Sequence, residues 1–264
     1  MISASIEHAA ALLSVARLER RPIDRLPDDC RPADLGAAYA VQDALHAKLT
    51  AAGWGALAGH KIGCTTPVMQ RFLGIDHPCA GGVFAPTVQH ERGAFRHAEF
   101  LHVGVECELA VRLARDLPAE RAPYDRAAVA AAVGACMAAL EVVDVRYSDY
   151  RALDTPTLVA DDFFNAGCVL GAPLPTWHAL DLAGLRGRMT INGVEVGTGR
   201  GGDILGHPLD ALAWLANALA ARGRQLSAGE FVLLGSVVET RWVEPGDVVE
   251  ASIEGLAPAS AHFA

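Results

Sequence analysis

A chain of 264 residues, 52% hydrophobic and 20% charged, can bury a full core as one domain or as a small layer beside a larger one. Its net charge of −9, without any run of Lys or Arg, argues against nucleic acid and anionic membranes as partners. Charges, Gly or Pro interrupt every apolar stretch before spanning length, and Glu7 and His8 stand where a signal peptide would be basic, so a cytoplasmic protein is expected. Six scattered cysteines (Cys30, Cys64, Cys79, Cys107, Cys136, Cys168) without a CxxC pair fit a reducing compartment and buried thiols.

Apolar residues at helical spacing predict a first helix over Ser3 to Arg17, followed by a polar connector from Arg20 to Pro32. Asp34 is placed to cap a second helix with a Tyr39, Val41, Leu45, Leu49 stripe and Gly53 at its end. From Gly55 the texture changes to short segments punctuated by Gly and Pro. In Gly59-His60-Lys61-Ile62-Gly63-Cys64-Thr65-Thr66 a lysine is bracketed by glycines, which let backbone approach a ligand; a surface lysine on a turn has the same pattern. Pro67 to Leu73 reads as a helical turn, and Gly74 to Gly82 as a loop carrying Asp76 and His77.

His102 to Leu113 alternates strictly between apolar and polar residues, a period of two that predicts a strand and puts Glu106 and Glu108 on one face. Two carboxylates so close repel each other unless solvent, salt or a hard divalent cation lies between them. Asp125 is placed to cap a buried, Ala-rich helix through Ala128, Val129, Ala132, Val133 and Cys136, running into a strand from Ala139 to Tyr147. Glu141 stands in an otherwise apolar stretch; if buried, it needs a cation. Asp161 and Asp162 precede Phe163 and Phe164, and Cys168 to Gly171 reads as a buried strand. Asn192-Gly193 signals a hairpin, Pro208 to Ala221 a helix stopped at Gly223 with His207 at its start, and Phe231 to Leu234 and Val248 to Ile253 two further strands. Strand-dominated order without regular βα alternation predicts an α+β fold with a mixed or antiparallel β-rich core and a small helical N-terminal region. Gly197-Thr198-Gly199 lacks the strand–helix context of a dinucleotide fingerprint.

With Lys61, Glu106, Glu108 and Glu141 in view, the chain resembles the hydratase/decarboxylase branch of the fumarylacetoacetate hydrolase superfamily. The resemblance rests on Gly59-His60-Lys61-Ile62-Gly63, Val105-Glu106-Cys107-Glu108, Glu141-Val142-Val143-Asp144-Val145-Arg146 and Ala160-Asp161-Asp162. Downstream follow Gly197-Thr198-Gly199, Leu205-Gly206-His207-Pro208, Ala213-Trp214-Leu215-Ala216 and Leu234-Gly235-Ser236, in family order. It implies a helical region over residues 1–75 and a fumarylacetoacetase-like β-roll core over 76–264. It also implies a Mg²⁺ or Mn²⁺ held by Glu106, Glu108 and Glu141, Lys61 beside the substrate, and a homo-oligomer. Two departures stand out: the family's Pro-Asp-Phe-Gly loop reads Pro78-Cys79-Ala80-Gly81, and its Asp-Asn reads Asp161-Asp162, followed by bulky Phe163-Phe164.

The implied substrate is a small 2-oxo or 2-hydroxy-dienoic acid chelating the cation, which acts as a Lewis acid toward the C2 oxygen. Lys61 would deliver a proton or bind the carboxylate, its pKa lowered if desolvated beside the metal. Without the loop acid, Asp76, His77 or Asp161 would supply the base, and Asp161 is the expectation. Gly63, Thr65 and Ser236 are candidate substrate contacts, Ser236 being equally a turn residue. Arg146 either pairs with a buried acid or clamps the far end of a diacid. Hydration to a 4-hydroxy-2-oxo acid leads. Decarboxylation of an oxalocrotonate-like diacid is the alternative, followed by acylpyruvate hydrolysis and oxo-acid binding without turnover.

Overall fold

The N-terminal layer is built by capping. The computed structural model describes residues 3–264. Helix α1 (Ala4–Glu19) starts where the Ser3 hydroxyl accepts from the Ile6 amide and stops at Arg20, which turns left-handed at φ 52°. Helix α2 (Leu35–Leu49) starts at Asp34, whose carboxylate accepts from the Ala37 amide. It runs out through a wide turn, Thr50–Trp54, broken where Gly53 takes φ 94°. Ala9, Ala10 and Leu13 of α1 and Ala38, Val41, Leu45 and Leu49 of α2 share one buried cluster.

The chain then enters β1 (Leu57–Gly63), α3 (Pro67–Leu73), β2 (Cys79–Phe84), β3 (Val88–His90), β4 (Arg92–Phe95) and β5 (Val103–Leu113). A five-residue helix α4 (Arg126–Ala130) precedes β6 (Val133–Asp144), α5 (Thr155–Ala160) and β7 (Asn165–Leu170). The hairpin β8 (Arg186–Ile191) and β9 (Val194–Arg200) turns at Asn192 and Gly193, both at positive φ as that two-residue turn requires. Helix α6 (Pro208–Ala220), β10 (Phe231–Ser236), β11 (Arg241–Trp242), β12 (Val248–Ile253) and β13 (Ala259–Phe263) complete the chain.

Two sheets result. The larger runs β2-β1-β10-β5-β6-β7-β3 with β11 pairing β5; the smaller runs β4-β13-β12-β8-β9. Because β1 lies between β2 and β10, the larger sheet takes in the chain from Leu57, well before the expected boundary at residue 75. Val83 of β2 packs in one cluster with Cys168 and Leu170 of β7. Laid flat, strands that far apart would be about 24 Å distant, so the sheet is rolled. Ala110, Met137, Ala139 and Cys168, with Phe231 and Leu233 of β10, fill the inside of the roll. The outer face of β5 and β6 (Val105, Cys107, Leu109; Cys136, Ala138, Leu140) packs on Val249, Ala251 and Ala261 of the smaller sheet.

One expectation is corrected here. The Ala-rich stretch predicted as helix through Cys136 is helical only to Ala130, and β6 begins at Val133. Alanine favours helix, but β6 is buried on both faces, Met137 and Ala139 against the inside of the roll and Ala138 and Leu140 against the smaller sheet. Tertiary packing overrides local propensity.

Candidate active site

The period-two alternation that fills the roll also places the chemistry at its mouth. On β5, Ala110 leads to Glu108 and then Glu106 on the inner face; on β6, Met137 and Ala139 lead to Glu141. Glu106 and Glu141 are direct cross-strand partners. One carboxylate oxygen from each of Glu106, Glu108 and Glu141 lies within 4.8 Å of the others. Lys61, on β1, reaches across to place Nζ 3.2 Å from Glu141 Oε1. Its neighbour in the sheet supplies another hold: the Gly235 amide donates to Glu108 Oε2 at 2.6 Å. Gly235 sits at φ 139°, and a Cβ there would lie 2.5 Å from Thr65 Oγ1, so only glycine fits.

Two residues that sequence reasoning did not single out complete the arrangement. Asn165 Nδ2 donates to Glu141 Oε1 at 2.9 Å, and the Thr240 hydroxyl donates to Glu106 Oε1. Their signal was thin: Asn165 opens β7 just after Phe163-Phe164, and Thr240 lies in the short gap between β10 and β11, with no motif around either.

Three carboxylates share one lysine. Burial and the neighbouring Glu141 and Glu106 push the Glu108 carboxyl well above its usual range. Burial pushes Glu141 up to about 7, with Lys61 opposing and Glu106 adding to the rise. Glu141 Oε2 is buried without a hydrogen-bond partner among the described residues. An oxygen-rich, negatively overcharged cluster with an orphaned carboxylate oxygen fits a hard divalent cation, and the residues present suit one. Burial would lower the Lys61 pKa, as expected from sequence, but Glu141, Glu106 and Glu108 outweigh it and the net direction is upward. Lys61 is therefore a held ammonium when the acids stand alone.

The cluster opens into a cavity of about 2010 Å³. Gly63, Cys64 and Thr65 line it beside Lys61, as does Ser236 on the neighbouring β10. A Cβ on Gly63 would come within 3.5 Å of Lys61 Nζ and 3.9 Å of Phe163, so glycine keeps this wall open. The Ser236 hydroxyl lies 2.6 Å from the Val238 carbonyl and 3.1 Å from that of Cys107, a turn-closing role that occupies its only proton. Further out the inner wall is apolar, with Val143, Val145, Leu158 and Phe164 buried along it.

Asp161 is placed elsewhere, which corrects its expected role as base. Fully buried, it accepts from Arg17 Nε at 2.7 Å and from Arg146 Nη2 at 2.7 Å, and it is absent from the cavity wall. Arg146 is consumed by the same pair and by Asp144 at 3.9 Å, so it acts as the structural partner rather than as a clamp on substrate. Asp162 is matched likewise: His46 Nε2 sits 2.9 Å from both its oxygens and the Gly82 amide donates at 2.9 Å. Burial alone would raise the Asp162 pKa, but His46, Arg17 and the Gly82 amide hold it below the usual range. Asp76 and His77 also lie outside the cavity wall, His77 bonding the Pro78 carbonyl at 2.7 Å. Cys79, in the position of the missing loop acid, is fully buried at the start of β2.

A model of the fumarylacetoacetate (FAA) hydrolase C-terminal family matches residues 83–264. A 2-keto-4-pentenoate hydratase of Paraburkholderia phymatum is 36% identical over 260 residues, covering 98% of this chain and 97% of that protein. A 4-oxalocrotonate decarboxylase of Pseudomonas putida is 29% identical over 248 residues, covering 94% and 92%. Among solved structures, 4-oxalocrotonate decarboxylase from Pseudomonas putida G7 complexed with magnesium and adipate superposes with a TM-score of 0.91 at 28% identity, covering 98% and 97%.

Proposed function

The chain belongs to the fumarylacetoacetate hydrolase family, and from that premise we propose that it is a divalent-metal-dependent hydro-lyase adding water to a 2-hydroxy-dienoate such as 2-hydroxypenta-2,4-dienoate. The product is a 4-hydroxy-2-oxo acid. One observation carries the choice of a mono-acid substrate. Among the described residues lining the cavity, the only Lys or Arg side chains are Lys61, paired with Glu141, and Arg151, exposed at the rim. A second carboxylate at the far end of the substrate would thus meet an apolar inner wall, which is costly for a charge.

Glu106, Glu108 and Glu141 would hold Mg²⁺ or Mn²⁺, in keeping with the magnesium bound by the similar decarboxylase. When bound, the cation supplies Lewis acidity toward the C2 oxygen of the substrate. The chain's own residues do the rest. Asn165 and the Gly235 amide fix the orientation of Glu141 and Glu108. Lys61 Nζ, held at the cavity wall as an ammonium, is the group placed to give a proton to the dienol carbon on ketonisation or to neutralise the substrate carboxylate. Gly63 leaves room for that carboxylate beside Lys61, and Thr65 borders the same space.

The similarity to the decarboxylase, at a TM-score of 0.91, favours loss of CO₂ from an oxalocrotonate-like diacid as the second reading. No described helix is long and apolar enough to cross a membrane, and a cytoplasmic homo-oligomer is proposed with the activity. The test is incubation with 2-hydroxypenta-2,4-dienoate and Mg²⁺, following loss of the dienol absorbance and appearance of the 4-hydroxy-2-oxo acid by NMR. Consumption of an oxalocrotonate with CO₂ release, and none of the dienoate, would replace hydration by decarboxylation. Consumption of neither, nor of any longer-tailed 2-hydroxy-dienoate, would end the enzyme reading.

A further inference from the structure

The cavity is larger than a five-carbon acid needs. Small-molecule sites usually hold about 300–1,000 Å³, whereas this one encloses about 2010 Å³. Beyond the carboxylates, Phe163, Phe164, Tyr150 and Trp242 line its walls. Phe163 lies over Lys61, its ring centroid 5.8 Å from Nζ. Phe164 meets Tyr150 edge to face with centroids 6.0 Å apart, and Tyr150 meets Trp242 at 6.3 Å. All four line the same cavity as Glu106 and Glu108. Trp242 pairs with Gly104, two residues from Glu106 on β5, so the rings form an arc around the mouth of the roll.

This arc is held in place at a cost. Asp162, Phe163 and Phe164 take φ of 52°, 45° and 67°, three successive left-handed residues of which none is glycine. Each such residue costs on the order of 1 kcal/mol. The turn persists because the Asp161 and Asp162 carboxylates are pinned by Arg17, Arg146, His46 and the Gly82 amide. Phe163 and Phe164, both carried on this turn, line the cavity. Tyr150 remains half-buried and Trp242 is 38% exposed, so both keep apolar ring surface facing a concave space.

We propose that Phe163, Phe164, Tyr150 and Trp242 form a tail subsite, and that the preferred substrate is a 2-oxo or 2-hydroxy-dienoic acid with an aryl or similarly large planar apolar tail. This rests on the proposed reading of the metal end, which fixes the acid head at Glu106, Glu108, Glu141 and Lys61. The tail then leaves Lys61 past Phe163 and lies against Phe164 and Tyr150, where rings favour edge-to-face or offset contact. Exposed Arg151 stacks on the Tyr150 ring at 5.6 Å and adds a cationic rim without putting charge on the inner wall.

Calorimetric titration of the Mn²⁺-loaded protein with pyruvate, 2-oxoadipate and 6-phenyl-2-oxohexanoate tests this without turnover. The phenyl acid is expected to bind at least tenfold tighter than pyruvate, about 1.4 kcal/mol, and tighter than 2-oxoadipate. In Tyr150→Ala and Phe163→Ala the ratio of the two dissociation constants should fall toward one. Tyr150, half-buried on a surface turn, keeps the test open should Phe163→Ala not fold. Pyruvate binding with a ratio near one, tighter binding of 2-oxoadipate, or a ratio unchanged in both variants would overturn the tail subsite and leave the proposed function standing. Failure of every 2-oxo acid to bind the Mn²⁺-loaded protein would instead overturn the reading of the metal end, and the subsite with it.

Discussion

Two groups of acids, all buried but the half-buried Glu106, lie within one fold, and they differ in how their charge is met. Asp161 and Asp162 face Arg17, Arg146 and His46, with a backbone amide at Gly82 taking up a further lone pair. Among the described residues, Glu106, Glu108 and Glu141 face a single lysine, and one Glu141 oxygen has no hydrogen-bond partner. Burying a carboxylate is costly in both places, so the matched pair can stand as structure while the unmatched trio is stable only with protons or with a cation. The electrostatics follow the same division: Asp162 is held below its usual range, whereas Glu108 and Glu141 are pushed above theirs. A deficit of positive charge in a cavity wall, rather than the mere presence of buried acids, marks the functional site.

The comparison can be broken most forcefully at Glu108. Glu108→Gln should lower metal-dependent turnover by roughly three orders of magnitude, since Lewis acidity is worth several kcal/mol, while the circular dichroism spectrum stays native. Turnover preserved at saturating Mg²⁺ would remove Glu108 from the ligand set. On the matched side, Arg17→Met should cost about 3–5 kcal/mol of stability in urea titration, because it leaves Asp161 buried with half its partners. A loss under 1 kcal/mol would show that the Arg17 pair does not hold the Asp162–Phe164 turn.

Lys61→Ala sharpens the comparison within the trio. Turnover should fall by about a hundredfold or more, with Mg²⁺ affinity changed only a few-fold; an unchanged kcat would take Lys61 out of the chemistry. The smallest expected effect is in pH. The folded Glu141 titrates near 7, against about 4.3 for an unfolded glutamate. The native metal-free protein therefore binds an extra proton between those values. That stabilisation is complete below about pH 4.3 and is lost as pH rises through about 7. From this group, the metal-free melting temperature should fall between pH 5 and 8, and Mg²⁺ affinity should rise over the same interval as the competing proton leaves. A metal-free melting temperature that rises across this window would contradict the charge deficit.

Much of this was legible in the sequence, for reasons that differ by residue. The strict alternation around Glu106 and Glu108 was readable because side-chain direction in a strand repeats every two residues. Glu141 was conspicuous as a lone acid in an apolar run. The caps at Asp34 and Asp125 and the Asn192-Gly193 turn were readable because capping and turn chemistry are local. β6 was missed over Val133 to Ala138 because a strand buried on both faces shows no alternation and alanine reads as helix. The role of Asp161 was missed because its partner Arg17 lies 144 residues away. A hint existed: Arg17 follows Leu13 by one helical turn, a cation on the buried stripe of α1, as His46 follows Gln42 on α2. Nothing in the local sequence says which distant acid such a buried cation will meet.

The most direct test of the account is Mn²⁺ titration followed by electron paramagnetic resonance on the wild-type chain, Glu108→Gln and Asp161→Asn, each first shown to be folded. The charge-deficit account predicts one tightly bound Mn²⁺ per chain in the wild type and in Asp161→Asn, and its loss in Glu108→Gln. Undiminished binding in Glu108→Gln, or loss of the ion in a folded Asp161→Asn, would contradict it.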